Sequence, residues 1–332
     1  MRLSCAPVFV HNLSNRGHSV AAVGQFVGQS GSEAPVRSEW NLAWRRLRRN
    51  KAAMAGLAAL ILISLAAILA DVIATETENH FDIASEGLPP LAERLDPIND
   101  WRPWGQRHLL GTDDIGRDVF SRIVRGARIS LRIGFSAVTI SLIAGSILGL
   151  VAGYFRRWPD MLISRILDVM LAFPGILLAM TVVASLGPGL NNAMLALGVA
   201  GIPFYGRVVR GTTLAARDLT YVRAARAVGM SDVRIMLRHI LPNVVSPVLI
   251  MATLGLGGAI LASATLSFLG LGAESPAPEW GYELSKSRNL LRAYWWIATF
   301  NGFAIAITVL SINLLGDGLR EALDPQASSW SD

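Results

Sequence analysis

Apolar runs separated by polar, often basic, segments set the pattern of this chain. The runs cover residues 52–70, 133–154, about 163–186, about 193–209, 244–271 and 295 to about 315. At about 1.5 Å per helical residue, each suits a hydrocarbon layer about 30 Å thick. The pattern predicts an all-α integral membrane protein with six transmembrane helices. Within the second run Gly145, Gly149 and Gly153 recur at every fourth position, a spacing that lets a neighbouring helix approach closely. Pro174-Gly175 predicts a kink in the third run, and Pro203 lies inside the fourth. The fifth carries Gly255, Gly257, Gly258, Ala262, Ser263 and Ala264 as a second packing face.

One polar stretch, residues 221–242, is strongly basic and itself built to be helical. Its Ala and Met residues favour helix, Gly229 interrupts it, Ser231 is placed to cap a new helix, and Pro242 marks another start. Two short helices joined by a turn at Gly229 are expected. Arg207, Arg210, Arg217, Arg223, Arg226, Arg234 and Arg238 face only Asp218 and Asp232 here, which assigns the loop 210–242 to the cytoplasm. Arg45, Arg46, Arg48, Arg49 and Lys51 precede the first run and place that end inside as well. Both termini are therefore expected in the cytoplasm, with residues 1–36 a flexible tail or partly a mis-assigned start, 37–74 a basic segment plus first span, and 316–332 a cytoplasmic tail.

Residues 75–132 read as an external loop that is acidic over 75–107. Its last part conflicts with the charge rule, because Arg117, Arg122, Arg125, Arg128 and Arg132 cluster there. Phe120, Ile123, Val124 and Ala127 repeat at helical spacing opposite the arginines, which predicts an amphipathic helix lying on the outer interface. The core domain is then 133–315, with Trp295 and Trp296 anchoring the last span.

Composition agrees with this class. Of 332 residues, 52% are hydrophobic and 16% charged, against about 25% charged in soluble domains. The net charge of +6 sits beside apolar spans rather than in a separate basic domain, which argues against nucleic acid as a partner. The single cysteine, Cys5, excludes an intrachain disulfide framework or a cysteine metal cluster. The five histidines, His11, His18, His80, His108 and His239, show no metal-ligand spacing. No phosphate-binding Gly-x-x-x-x-Gly-Lys-Ser/Thr loop and no hydrolase motif occurs, so the chain is not expected to be an enzyme or to hold a cofactor or metal. Asp168, near the inner end of the third run, reads as an interfacial or packing residue, and no charge pairs of the kind used by ion-coupled carriers are evident in the spans. The energy source is expected to be borrowed from a partner.

Residues 223–242 resemble the coupling loop of ABC importer permeases, written Glu-Ala-Ala, three residues, Gly, nine residues, Ile-x-Leu-Pro. Ala224, Ala225, Gly229, Leu241 and Pro242 stand at the matching spacing, with Arg223 in place of the Glu and His239 in place of the Ile. The block from Gly111 to Leu131, the segment Leu266–Gly272 followed by Pro276, Pro278, Glu279, Trp280 and Gly281, and the terminal Asn313–Arg320 with Leu323-Asp324-Pro325 are similar to the dipeptide/oligopeptide/nickel permease family. Among its subunits the chain looks like the C-type, and Phe173–Ala179 is similar to the glutathione-importer branch.

The resemblance implies a type I ABC importer permease fold in the bacterial cytoplasmic (inner) membrane. It implies a heterodimer with a homologous permease, two cytoplasmic ATP-binding subunits that hold the ATP, and an external solute-binding protein. It also implies that Ala224, Ala225, Gly229, Leu241 and Pro242 couple the membrane domain to the ATPases. Di- or oligopeptides are the implied cargo, with glutathione or nickel chelates as alternatives; a self-sufficient carrier or channel is the alternative of another class. Arg223 either pairs with an acidic residue of the ATPase or is a solvated charge that supports topology.

Overall fold

The computed structural model describes residues 39–77, 82–93 and 107–323, with side chains from residue 44 onward. The expected tail over 1–36 and the end of the tail over 316–332 lie outside the described residues. The chain divides into Met1–Glu39 and Trp40–Asp332, and the helical bundle belongs to the second unit.

Twelve α-helices are present among the described residues: α1 (Glu39–Arg49), α2 (Lys51–Ile68), α3 (Ala70–Ile73), α4 (Val119–Phe155), α5 (Arg157–Leu171), α6 (Gly175–Leu186), α7 (Leu190–Arg217), α8 (Thr220–Ala227), α9 (Asp232–Ile235), α10 (Leu241–Phe268), α11 (Trp280–Ser287) and α12 (Trp295–Leu323). Five runs are long and apolar enough to cross a membrane, namely α2, α4, α7, the run from α9 through α10, and α12. A sixth is the pair α5 and α6 taken together. The basic cluster before the first span forms its own helix, α1. Asn50 separates it from α2 and accepts a hydrogen bond from the Ala53 backbone N–H at 3.0 Å, a side-chain N-cap.

Three boundaries differ from the sequence-based expectation. The bend expected at Pro174-Gly175 is a full break in the third run, which forms two helices at 92°. Pro174 cannot donate to the ladder and restricts Phe173, so α5 stops at Leu171 and Pro174 caps α6 instead. The amphipathic segment before the second run is no separate interfacial helix; it is the first part of α4, continuous through 37 residues. The fourth run continues to Arg217, beyond residue 209. Pro242 stands in the first turn of α10, as expected, and a π turn over Met236–Ile240 joins α9 to it in one continuous run. A proline ring clashes with the carbonyl four residues back, and the wider π turn relieves that contact without ending the run.

The glycine ladder on α4 packs on α7. A Cβ at Gly145 would meet the Ile202 carbonyl oxygen at 2.7 Å, one at Gly149 the Gly206 carbonyl oxygen at 2.6 Å, and one at Gly153 Thr213 Cβ at 2.7 Å. Absent side chains thus set the distance between these two long neighbours in the bundle. Ser141 adds a hydrogen bond across the same seam, donating to the Gly198 carbonyl at 2.6 Å.

At 37 residues α4 is about 55 Å long, well beyond a bilayer core. Its N-terminal part stands in a polar cap built from the segments on either side. Buried Arg122 pairs with buried Glu283 of α11, and Arg117 with Asp113 at 2.6 Å. Arg125 and Arg128 share Asp71 at 3.2 and 3.1 Å, and Arg128 also caps the Ala67 carbonyl at the end of α2. Four of the five arginines that conflicted with the charge rule thus have carboxylate partners, Arg125 and Arg128 sharing one. Asp118 caps α4 through Ser121 and pairs with His108 at 3.0 Å. Burial works to raise its carboxyl, yet the bonds from His108 and Ser121 outweigh that and hold it below the usual range. Glu279 is pushed up by burial. Trp296 closes the cap by donating to the Thr112 carbonyl at 2.9 Å, whereas its neighbour Trp295 stays exposed.

Candidate functional site

At the end of the bundle opposite the cap, α8 and α9 form the hairpin expected from residues 221–242. The turn between them is a glycine-terminated helix end. Gly229 has φ +80°, its N–H bonds to the Arg226 carbonyl at 3.0 Å, and Met230 N–H bonds to the Ala225 carbonyl at 3.1 Å. This is the Schellman arrangement, which requires a left-handed residue after the helix and favours glycine there. Ser231 stands at the N-cap of α9, but its side chain makes no capping bond.

The hairpin has an inner and an outer side. Val222, Ala225, Ile235 and Ile240 are buried with Leu150 and Tyr154 of α4, Val209 and Ala216 of α7, and Val244 of α10. Helical spacing from 222 to 225 puts both side chains of α8 on this inner face. Ala224, Ala227, Val228 and Gly229 lie on the exposed side, with Val228 80% exposed. Across the turn Val233 and Leu237 are also exposed. A soluble surface seldom offers several apolar side chains next to an open backbone turn without a partner for them.

Polar bonds fix the hairpin to the bundle. Tyr154, at the end of α4, donates to Asp232, and the Arg226 guanidinium lies 5.4 Å from the Tyr154 ring centre. Arg217 caps the end of α4 by donating to the Tyr154 carbonyl, and Arg156 pairs with Asp218 at 2.8 Å. Asn243 of α10 donates to Tyr221 and to the His239 carbonyl, both at 2.8 Å. Two further pairs tie α5 to α7: Arg210 with Asp160 at 2.5 Å and Arg207 with Asp168 at 2.6 Å. Asp168 thus bridges helices at an exposed position. Motion imposed on the hairpin would reach α4, α7 and α10 through these contacts.

The sequence-predicted site residues fall into three places. Ala224 and Gly229 lie on the exposed surface. Ala225 is buried and holds α8 to its own bundle. Leu241 and Pro242 begin α10, Leu241 packing against the hairpin core and Pro242 exposed beside the π turn. Arg223 is exposed, with no ion-pair partner among the described residues. Sequence reasoning missed Tyr154, Asp232 and the arginines that fix the hairpin. Only the clustering of Tyr154 with Arg156 and Arg157 at the end of a glycine-spaced run could have pointed to them.

Comparison with known proteins agrees with this geometry. Residues 145–329 match the family described as binding-protein-dependent transport system inner membrane component. Residues 38–90 match the N-terminal TM domain of oligopeptide transport permease C. The dipeptide transport system permease protein DppC of Alkalihalophilus pseudofirmus is 47% identical over 292 residues, covering 88% of this chain and 91% of that protein. The glutathione transport system permease protein GsiD of Pectobacterium atrosepticum is 44% identical over 295 residues, covering 89% and 93%. Among solved structures, the inward-facing MetNI methionine ABC transporter superposes with a TM-score of 0.51 at 21% identity, over 62% of this chain and 97% of the matched chain, a likeness of fold. The chain belongs to the inner membrane components of binding-protein-dependent ABC transport systems.

Proposed function

We propose that this protein is one of two homologous permease subunits of an ATP-driven importer of short peptides, and that the α8–α9 hairpin receives the force of ATP hydrolysis from separate ATP-binding subunits. The observation that carries this reading is the two-sided hairpin. Its inner face is locked into α4, α7 and α10, and its outer face presents Ala224, Ala227, Val228 and Gly229 on the exposed side. Small side chains let a backbone sink into a groove on a partner, and a rigidly seated hairpin passes on displacement instead of absorbing it. Differential affinity of that surface for the open and closed ATPase pair is what would bias the bundle between its two states.

Arg223 emerges beside this surface, where a carboxylate on the ATP-binding subunit would complete it. The arginines of the hairpin end and of the basic helix α1 favour the cytoplasmic side for both, and the end of α12 packs on α1 through Ala322 and Leu47. The cap then faces outward, toward the solute-binding protein. The peptide class rests on the relatives: one is named for dipeptides, the other for glutathione, itself a short peptide. Proteoliposomes provide the test. With the second permease, the ATP-binding subunits and the binding protein present, ATP should drive uptake of a labelled dipeptide or of glutathione. This chain alone should show no uptake under an ion gradient; gradient-driven uptake by the chain alone would replace the proposal with a secondary carrier.

A further inference from the structure

Between α2 and α4 lies an open groove of about 580 Å³. Leu60, Ala67, Leu131, Phe135 and Leu256 supply its apolar wall, and Arg128 and Arg132 are the charged residues that line it. The axial order of these residues matters. Ile68 ends α2 at the cap side of the bundle, and Leu60 lies eight residues deeper, about 12 Å along the helix. Arg128 and Arg132 occur just where α4 leaves the polar cap and enters its apolar part. Both arginines therefore stand at the polar end of the groove, whose apolar wall continues toward the middle of the spans.

Charge at this rim is not balanced. Asp71 serves both Arg125 and Arg128, so one carboxylate meets two guanidiniums. Arg132 is exposed and has no ion-pair or hydrogen-bond partner among the described residues. Arg128 is already committed to the Ala67 and Ile68 carbonyls at 3.0 and 3.1 Å, which fixes its guanidinium in place on the rim. A fixed cation and a free one, at the polar end of a groove shaped for an acyl chain, match a phosphate-bearing headgroup with net negative charge.

We infer that the α2–α4 groove is a binding site for an anionic phospholipid of the leaflet on the cap side, its headgroup held by Arg128 and Arg132 and one acyl chain laid along Leu60 and Leu256. The lipid completes the charge of the cap and fills the seam between the first span and the core bundle. Acyl chain and headgroup contribute together, so the headgroup alone does not bind.

Native mass spectrometry of the full chain in its purified, delipidated complex tests this. Phosphatidylglycerol and phosphatidylcholine with the same acyl chains are titrated in neutral detergent. The expected result is one retained phosphatidylglycerol per chain, in preference to phosphatidylcholine. Arg132→Gln should lower that preference about fivefold, the equivalent of about 1 kcal/mol for one basic residue near a charged lipid surface, and Arg132→Lys should keep most of it. Ser64→Trp, which fills the groove, should remove retention of both lipids, and glycerol phosphate should not compete. Equal retention of the two lipids by the wild type overturns the inference. So does an unchanged preference in Arg132→Gln with an unchanged melting temperature.

Discussion

Arg122 and Glu283 are 161 positions apart in sequence, and both are buried in the cap. Truncating one partner leaves the other charged and dry, a change that costs about 3–5 kcal/mol in comparable buried pairs. Arg122→Ala should therefore lower the melting temperature of the detergent-solubilised protein, and the double change Arg122→Met with Glu283→Leu should recover most of the loss. Asp118 gives the cap a pH dependence of defined sign. Its carboxyl is held below the ordinary value of 3.8, so its contribution is present above that value and is lost as pH falls further. Asp118→Asn should flatten the acid limb of a stability-versus-pH curve below about pH 3.8 and leave its neutral part with the same slope. The arginines were visible in the sequence, but most of their pairings were not. Charge counting saw only a basic run, whereas Asp71 and Glu283 come from remote segments that the fold brings to it; Asp113, by contrast, lies four residues before Arg117.

Helix by helix, the strongest legible feature was the spacing of Gly145, Gly149 and Gly153, because a period of four defines a helix face whatever lies opposite. That the face opposite is α7 was not legible. The seam makes a sharp prediction. Gly149→Leu drives a side chain into the Gly206 backbone and should destabilise the bundle by about 1–3 kcal/mol or more, read as aggregation or a lowered melting temperature. Gly258→Leu, at a glycine whose Cβ would meet nothing within 4 Å, should be tolerated. Pro174 showed in advance where the third run would bend. The 92° turn did not show, since a proline states where the ladder fails and not where the next helix finds its packing. The π turn before Pro242 was hidden for the same reason. Gly229 was read both as the turn between two short helices and as a small contact residue; its left-handed backbone is the form that turn takes.

Within the bundle unit, two long helices reach beyond the apolar layer at opposite ends. The start of α4 builds the cap, and the run beginning at Asp232 carries the hairpin. The membrane class and the hairpin were readable because hydropathy and local helix signals act over short stretches of chain. The cap's polar network and the division of the hairpin into inner and outer faces depend on long-range packing. That division decides which substitution separates folding from coupling: Ala225 is part of the core, whereas the Val228 side chain stands clear of it. The most direct measurement is the amount of ATP-binding subunit recovered per permease when the complex is purified from detergent with and without Val228→Asp. The account predicts that the variant enters the membrane with an unchanged melting temperature, loses the ATP-binding subunits and shows no ATP-driven uptake. Full recovery of those subunits with normal uptake by Val228→Asp would contradict it.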